Sequence, residues 1–443
     1  MLKWLPMRKH NALLFSILVL SVACTQNISS AHAETVELPP GVFHMADGVY
    51  YHPKSGTKNA DLAIVLAAYQ SLLQKEQAVS TTAPVTTELA SSFPLLAAIE
   101  KAQALLAADN VGTVDTVVSE IPDWRAIRLA VWNKNANALR TISAEMNEKN
   151  LRAVSGGEAV KVLRANGLNS SFKISSANEG DIVIAIRYPI YRERSDKKFD
   201  VEQAIYTPYH SSFNTNQMAD AGEAWLAQVI NDAEKELAAA NASSRAYPDK
   251  VLSDVIDPAF VASILTIEHV DFSAAQKDVR SQVGAFYSIL ATNKDRSYAY
   301  ARSSAGALGI AQFIPSTYAW LAKQPGLGLM QDFDSGMTNP KNAVKAQIAY
   351  LDYLLSLLPK EARDAYLLPE NRLLVQEYIA AAYNGGPARV KKAMVVWDEN
   401  LDAEERLHVR TRSRLRLETV HYIWKLRLVR PVLIERFTAL EKA

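Results

Sequence analysis

The sequence has one cysteine in 443 residues, so no disulfide can close within the chain and the folded state must rest on apolar burial. Charge of one sign is also missing. The formal net charge is +1, which gives no global pull towards nucleic acid. The 8 histidines include no HExxH or other metal-ligand spacing, and no glycine-rich phosphate loop occurs, so metal and nucleotide chemistry have no support. The leading apolar run, Ala12 to Ala23, is too short to cross a bilayer as a stable helix.

That short run has a different reading. Lys3, Arg8 and Lys9 precede it with no acid among them, and Ala31-His32-Ala33 follows as a small-x-small site, the pattern of a secretory signal peptide over residues 1–33. The cysteine, Cys24, follows Leu20-Ser21-Val22-Ala23, a loose likeness to a lipoprotein processing site; lipidation there would place the protein on a membrane. On either processing the protein is expected to be exported to the periplasm.

Residues 34–240 read as an α+β region with a small sheet. An amphipathic helix is expected over about Ala60 to Lys75, and Gln77 to Pro94, rich in Ser, Thr, Ala and Pro, reads as a linker or long loop. Phe93 to about Leu151 shows helical patterns, with Trp124, Ile127, Leu129, Val131 and Trp132 as core candidates. Ile182–Ile190 and Val201–Tyr209 are β-branched and aromatic runs on either side of RERSDKKFD, which predicts a hairpin. Gln217–Ala240 is a further helix, and Asn241–Lys250 (NASSRAYPDK) reads as a linker into residues 251–443. No motif in the N-terminal region indicates a function.

The C-terminal half turns on Glu268. Asp257-Pro258 is a helix start, and Val261, Ile264, Leu265 and Glu268 at i, i+3, i+4 and i+7 share one face of a helix running to about His269. A carboxyl that ends an apolar stripe, at the negative pole of its helix, is expected to hold its proton to a higher pH than usual. That suits a general acid. Taken alone, such an acid is more often a structural partner of an arginine, and His269 reads as a surface histidine ending the helix.

Further on, SSAGALGIAQFIPST (Ser303–Thr317) has glycines at 306 and 309 where the backbone must turn or approach closely. The helix through Val375, Ile379 and Ala382 stops at Tyr383-Asn384-Gly385-Gly386-Pro387. Asn339-Pro340 opens a helix with Val344, Ile348, Leu351, Leu355 and Leu358 inward. Arg406, Arg410, Arg412, Arg414, Arg416, Lys425, Arg427 and Arg430 read as a solvated basic face, on a helix that Pro431 should end.

The order of these pieces resembles a known family. Glu268, then Ser303-x-x-Gly306-Ala307-x-Gly309-x-x-Gln312-x-x-Pro315, then Ala382-Tyr383-Asn384-x-Gly386-Pro387, then Glu418-Thr419-x-x-Tyr422-Ile423 look like the successive motifs of soluble lytic transglycosylases. These are lysozyme-like enzymes that cut bacterial cell-wall glycan. The resemblance covers about residues 255–430 and implies a mainly α protein with a lysozyme-like helical domain at the C-terminus. It makes Glu268 the catalytic acid/base, places Ser303 and Gln312 on the saccharide side, and sets Tyr383 against the glutamate with Asn384 beside it. Glu418 and Tyr422, in the last motif, would also face bound saccharide. The implied partner is the glycan strand of peptidoglycan, cut between N-acetylmuramic acid and N-acetylglucosamine to leave 1,6-anhydro ends, with no metal or cofactor.

Three departures stand out. His269 replaces the family serine after the glutamate, Ile310-Ala311 replaces Leu-Met before Gln312, and a long segment separates Glu268 from Ser303. In that segment Ser273 offers a cap, and Val279, Val283, Phe286, Tyr287 and Leu290 predict an extra helix beside the cleft. Two alternatives remain open at this level. A hydrolysing muramidase would need a second carboxylate, such as Asp271 or Asp295, and a wall-binding scaffold would need none.

Overall fold

The computed structural model describes residues 18–20, 42–45, 48–51, 94–108, 116–147, 150–153, 159–164, 167–175, 180–393 and 415–440. The expected cleavage site, Cys24, the helix at 60–75, nearly all of the 77–94 linker and the arginines from 406 to 414 lie outside these residues. The chain divides into two compact units, residues 1–86 and 87–443. In the first, Leu18–Leu20 and Val42–Met45 flank Gly48–Tyr51 in an antiparallel sheet.

The second unit begins with the helix Pro94–Ala108 and a six-stranded antiparallel sheet. Its strand order is Val117–Val118, Phe199–Tyr206, Asp181–Glu193, Arg125–Asn133, Ala138–Met146 and Leu151–Ala153. The expected hairpin forms its second and third strands, paired from Glu193↔Phe199 to Ile186↔Tyr206.

The helical reading of Phe93–Leu151 holds only for the first of its elements. Residues 125–146 form a second hairpin, and its first strand, Arg125–Asn133, is covered on both faces. Leu129 and Val131 enter one apolar cluster with Ile186 and Tyr206; Ala130 and Trp132 enter another with Ile99, Ala102 and Leu106 of the helix. A strand buried on both faces loses the polar alternation that would reveal it, so an apolar run remains that periodicity cannot separate from a helix. The residues chosen as core are nonetheless buried, apart from Trp124, which is half-buried.

The segment between Glu268 and Ser303 does more than line a cleft. It forms Phe272–Lys277, capped by Asp271 rather than Ser273, and then Val279–Asn293, capped by Asp278. Val283, Phe286, Tyr287 and Leu290 of the longer helix enter the core of the C-terminal half, while Ile289 and Ala291 enter the two clusters of the sheet. Its last residue, Asn293, trades bonds with the backbone of Thr207: Thr207 N–H donates to Oδ1 at 2.8 Å and Nδ2 donates to the Thr207 carbonyl at 3.0 Å. Gln103 on the first helix donates to the Thr207 hydroxyl and to the Thr292 carbonyl, both at 3.0 Å. Val279–Asn293 is therefore the member shared by the sheet and the C-terminal core.

The helix Asn216–Ala239 lies against it, with Gly222 in contact with the Tyr287 backbone. A Cβ at Gly222 would sit 1.9 Å from the Tyr287 carbonyl oxygen, so no side chain fits there. Leu226, Ile230, Ala233 and Leu237 of this helix share one core with Phe260–Ile267 and with Val344, Ile348, Leu351, Leu355 and Leu358. The stretch 241–250, expected as a linker, is folded into the same core. Ser244 Oγ and the Arg245 N–H donate to the Asp352 carboxylate at 2.5 and 2.6 Å, and Ala242 and Ala246 are buried.

The C-terminal helix Leu417–Leu440 runs through Pro431 instead of stopping there. An interior proline costs about 3 kcal/mol. Leu426 and Val429 before it, with Val432 and Leu433 after it, are all buried, and this packing on both sides outweighs the lost backbone bond. Of the basic residues on this helix, Arg427 forks onto Glu377 at 2.8 and 2.9 Å and Arg430 is buried, so this part is no solvated face.

Asn293→Ala tests the shared member. It strands the Thr207 N–H and carbonyl in a dry junction, and the loss should be about 2 kcal/mol. Urea unfolding of the variant should show a lower midpoint at unchanged slope; an unmoved midpoint would mean that this bond pair does not hold sheet to helix.

Candidate active site

The helix Pro258–His269 starts where Asp257 accepts from the Ala259 N–H at 2.9 Å, and every residue from Phe260 to Ile267 is buried. It is thus surrounded, not merely striped. The two polar residues within it, Ser263 and Thr266, return their hydroxyls to the carbonyls of Ala259 and Ala262 at 2.7 and 2.8 Å, which lets them sit in an apolar core. Glu268 is the first residue after this buried run, and it is half-buried.

The carboxyl has one hydrogen-bond donor that the geometry fixes. Tyr422 Oη, on the buried face of the C-terminal helix, donates to Glu268 Oε1 at 2.6 Å. Burial, and secondarily the charge of Glu418, raise the Glu268 pKa from its ordinary 4.5 to about 7, against the hydrogen bond from Tyr422 and the positive charge of Lys425. Glu418 itself is exposed in the first turn of its helix. Near neutral pH the group therefore exists in both protonation states.

Tyr383, expected on the glutamate, donates instead to the Ala311 carbonyl at 2.7 Å, while its ring packs edge-on to Phe313 and Tyr350. The negative charge of Glu268 is nonetheless among the causes that raise its own pKa, after burial. Asn384 Oδ1 accepts from Thr419 Oγ1 at 2.8 Å.

The loop 301–313 is closed by its own backbone. Ser303 N–H donates to the Ala307 carbonyl and Gly306 N–H to that of Ser303, both at 2.9 Å, and Leu308 pairs with Phe313. Gly309 has φ +77°, and a Cβ there would lie 2.1 Å from the Met337 carbonyl oxygen, so glycine is required twice over. Gln312 also has positive φ and turns its amide inward: Nε2 donates to the carbonyls of Ala301 and Gly309 at 3.0 and 2.7 Å. The Ser303 side chain is exposed, with its Oγ accepting from the Ala307 N–H at 3.1 Å.

His269 is half-buried rather than a surface residue. Its ring stacks on Tyr298 with centroids 3.7 Å apart, and burial lowers its pKa to about 4. Nε2 lies 2.9 Å from the Ile310 carbonyl oxygen, which only a ring N–H can satisfy, so the neutral ring carries its proton on Nε2. The histidine that replaces the family serine thus ties the glutamate helix to the glycine loop.

These contacts close a ring. Glu268 meets Tyr422, His269 meets Ile310, Tyr383 meets Ala311 and Asn384 meets Thr419, so each motif touches two others. Residues 296–400 match the family model described as Transglycosylase SLT domain. The chain carries an SLT domain. That domain marks a lytic-transglycosylase type of family that acts on peptidoglycan. The match includes Ser303, Gln312, Tyr383 and Asn384, whereas Glu268, Glu418 and Tyr422 lie outside it and reach the SLT segment through the fold. A search among curated proteins finds no match to the chain.

Sequence reasoning missed Lys425, whose ammonium bonds the carbonyls of Ile267 and Val270 at the end of the glutamate helix. A lysine three residues after Tyr422 was the available signal, hidden among seven other basic residues. Among the described residues no group of three His, Cys, Asp or Glu side chains is placed to hold a metal ion. A separate cavity of about 330 Å³, lined by Arg245, Trp320 and Tyr353, has one carboxylate, Asp352, already taken up by Ser244 and the backbone.

The raised pKa of Glu268 has a stability consequence. Because the folded value of about 7 exceeds the ordinary 4.5, the contribution of Glu268 is fully present below pH 4.5 and is lost as pH rises through about 7. Glu268→Gln, neutral throughout, should therefore gain on the parent between pH 5 and pH 8 by up to about 3 kcal/mol. Urea unfolding of both proteins at the two pH values measures this; an equal gap at both would contradict a raised value.

Proposed function

We propose that the protein is a peptidoglycan lytic transglycosylase that breaks the β-1,4 bond between N-acetylmuramic acid and N-acetylglucosamine without water. The observation that carries this reading is a half-buried carboxyl, Glu268, bonded by Tyr422 and held near neutrality within the ring of SLT-type motifs. As the bridging bond breaks, Glu268 gives its proton to the departing oxygen. The resulting carboxylate then takes the proton of the muramyl C6 hydroxyl while that oxygen bonds to C1. The proton returns to Glu268, and the product ends in a 1,6-anhydro ring. Holding the C6 hydroxyl next to C1 makes the nucleophile intramolecular, which favours it over bulk water.

A single carboxylate serves both steps. The acids considered for a hydrolytic route are occupied otherwise: Asp271 caps the helix Phe272–Lys277, accepting from the Ala274 N–H at 2.8 Å, and Asp295 is exposed in the turn 294–296. Neither is among the charges that act on Glu268. In the same reading Glu418, exposed at the start of the C-terminal helix, and Ser303, exposed on the loop, face the glycan. The inward amide of Gln312 keeps the loop in shape and leaves its Oε1 for saccharide.

The action of the family on cell wall supports a place outside the cytoplasm, and the N-terminal residues 1–33 supply the export signal in this proposal. No helix among the described residues is long and apolar enough to cross a membrane.

Three experiments test these statements. Glu268→Gln should fold and fail to clear purified peptidoglycan, and mass spectrometry of parent digests should show muramyl ends lighter by one water and resistant to borohydride. Reducible ends would leave a hydrolase, and full clearing by the variant would remove Glu268 from the mechanism. For export, intact mass of protein recovered from the envelope should place the N-terminus at Glu34; a diacylated Cys24 would put the protein on a membrane instead.

A further inference from the structure

The glutamate helix ends without the usual stop. Val270, its C-cap, is extended at φ −93° and ψ 129°, and the segment Glu268-His269-Val270-Asp271-Phe272 has no glycine to fold back over the last carbonyls. Those carbonyls need a donor from elsewhere. Lys425 Nζ supplies it, bonding the Ile267 carbonyl and, at 3.1 Å, that of Val270, the residues that bracket Glu268 and His269. The same ammonium lies over the ring of Tyr422, 5.4 Å from its centroid, while the Tyr422 hydroxyl holds Glu268.

We propose that Lys425 is a positioning residue that fixes the end of the glutamate helix and faces the Glu268 carboxyl with a positive charge. It clamps both the backbone that carries the carboxyl and the tyrosine that donates to it. A half-buried ammonium is expensive to desolvate, and burial lowers its pKa; Glu268, Asp271 and Glu418 act in the other direction and keep it charged. The groups that face Glu268 are Tyr422, Lys425 and Glu418 from the C-terminal helix and Tyr383 from Pro369–Gly385. Of these only Lys425 is positive. It therefore limits how far burial can raise the carboxyl, so that Glu268 can still shed its proton near neutral pH. The catalytic significance of this balance rests on the reading of Glu268 as acid and base, whereas the electrostatic part does not.

The test compares Lys425→Met, Lys425→Gln and Lys425→Arg in the full chain. Infrared difference spectra across a pH series give the titration of Glu268 directly, as the protonated-carboxyl band that Glu268→Gln removes, and clearing of purified peptidoglycan gives the activity profile. Loss of the cation should raise the Glu268 midpoint by about one pH unit in the Met and Gln variants, with the alkaline limb of clearing moving by the same amount. Lys425→Arg should return both towards the parent. Gln, which keeps a donor for the helix end, guards against a Met variant that does not fold. A Glu268 midpoint unmoved in Gln, with only thermal stability reduced, would make Lys425 a strut and overturn the proposal. A shifted infrared midpoint in a protein that never clears peptidoglycan would leave this inference standing and remove the proposed function.

Discussion

The desolvation of one carboxyl is the constraint on which this half of the molecule is arranged. Glu268 follows eight consecutive buried residues, so the walls that keep water from it are the same walls that make the core. Nothing in the helix could bring the glutamate to the surface without exposing Ile264, Leu265 and Ile267, and this fixes the site more firmly than any single hydrogen bond could. The polar groups around it then trim the result: Tyr422 and Lys425 favour the ionised form, Glu418 the neutral one.

The second level of organisation is the closed ring of contacts among the four motif segments. Two of its links run to backbone carbonyls of the glycine loop, at Ile310 and Ala311, so the identity of those side chains matters less than the path of the chain. This explains how Ala311 can stand where the family has methionine while the loop still joins the site. Before residue 296, where the SLT match begins, His269 is bonded to the loop and Val279–Asn293 packs on both the C-terminal core and the sheet.

Much of the helical framework was legible in the sequence because caps and period carry it. Asp257-Pro258, Asn339-Pro340 and the Gly385-Gly386-Pro387 stop mark helix ends that the structure reproduces. The strand Arg125–Asn133 was not legible, since both faces of its second half are covered, whereas Ala138–Met146 does alternate, with Ile142, Ala144 and Met146 buried and Thr141, Ser143 and Glu145 half-buried. Pro431 misled because its local cost is outvoted by Val429, Val432 and Leu433, which no local rule weighs. At the site, the order of the motifs singled out Glu268, which its place on an apolar helix alone did not, and the resemblance put Tyr383 rather than Tyr422 against it. Both lie at matching motif positions, and only the packing of the last helix decides which hydroxyl reaches the carboxyl. Lys425 escaped notice because its partners are backbone carbonyls, which have no signature in side-chain patterns.

The helix Val279–Asn293 sits between Glu268 and the glycine loop in the chain and between sheet and core in space. A helix placed in this way cannot unfold with one neighbour and stay folded with the other. The sheet and the C-terminal half are thereby joined into one cooperative unit, in which partial opening is penalised on both sides. The C-terminal half is accordingly no transplantable module. Cut at residue 250, it would lose the helix Asn216–Ala239 and the sheet together, and the surface so exposed would admit solvent to the back of the core against which Glu268 is half-buried. In energetic terms the sheet and the helix Asn216–Ala239 belong to the site as much as Glu268 does.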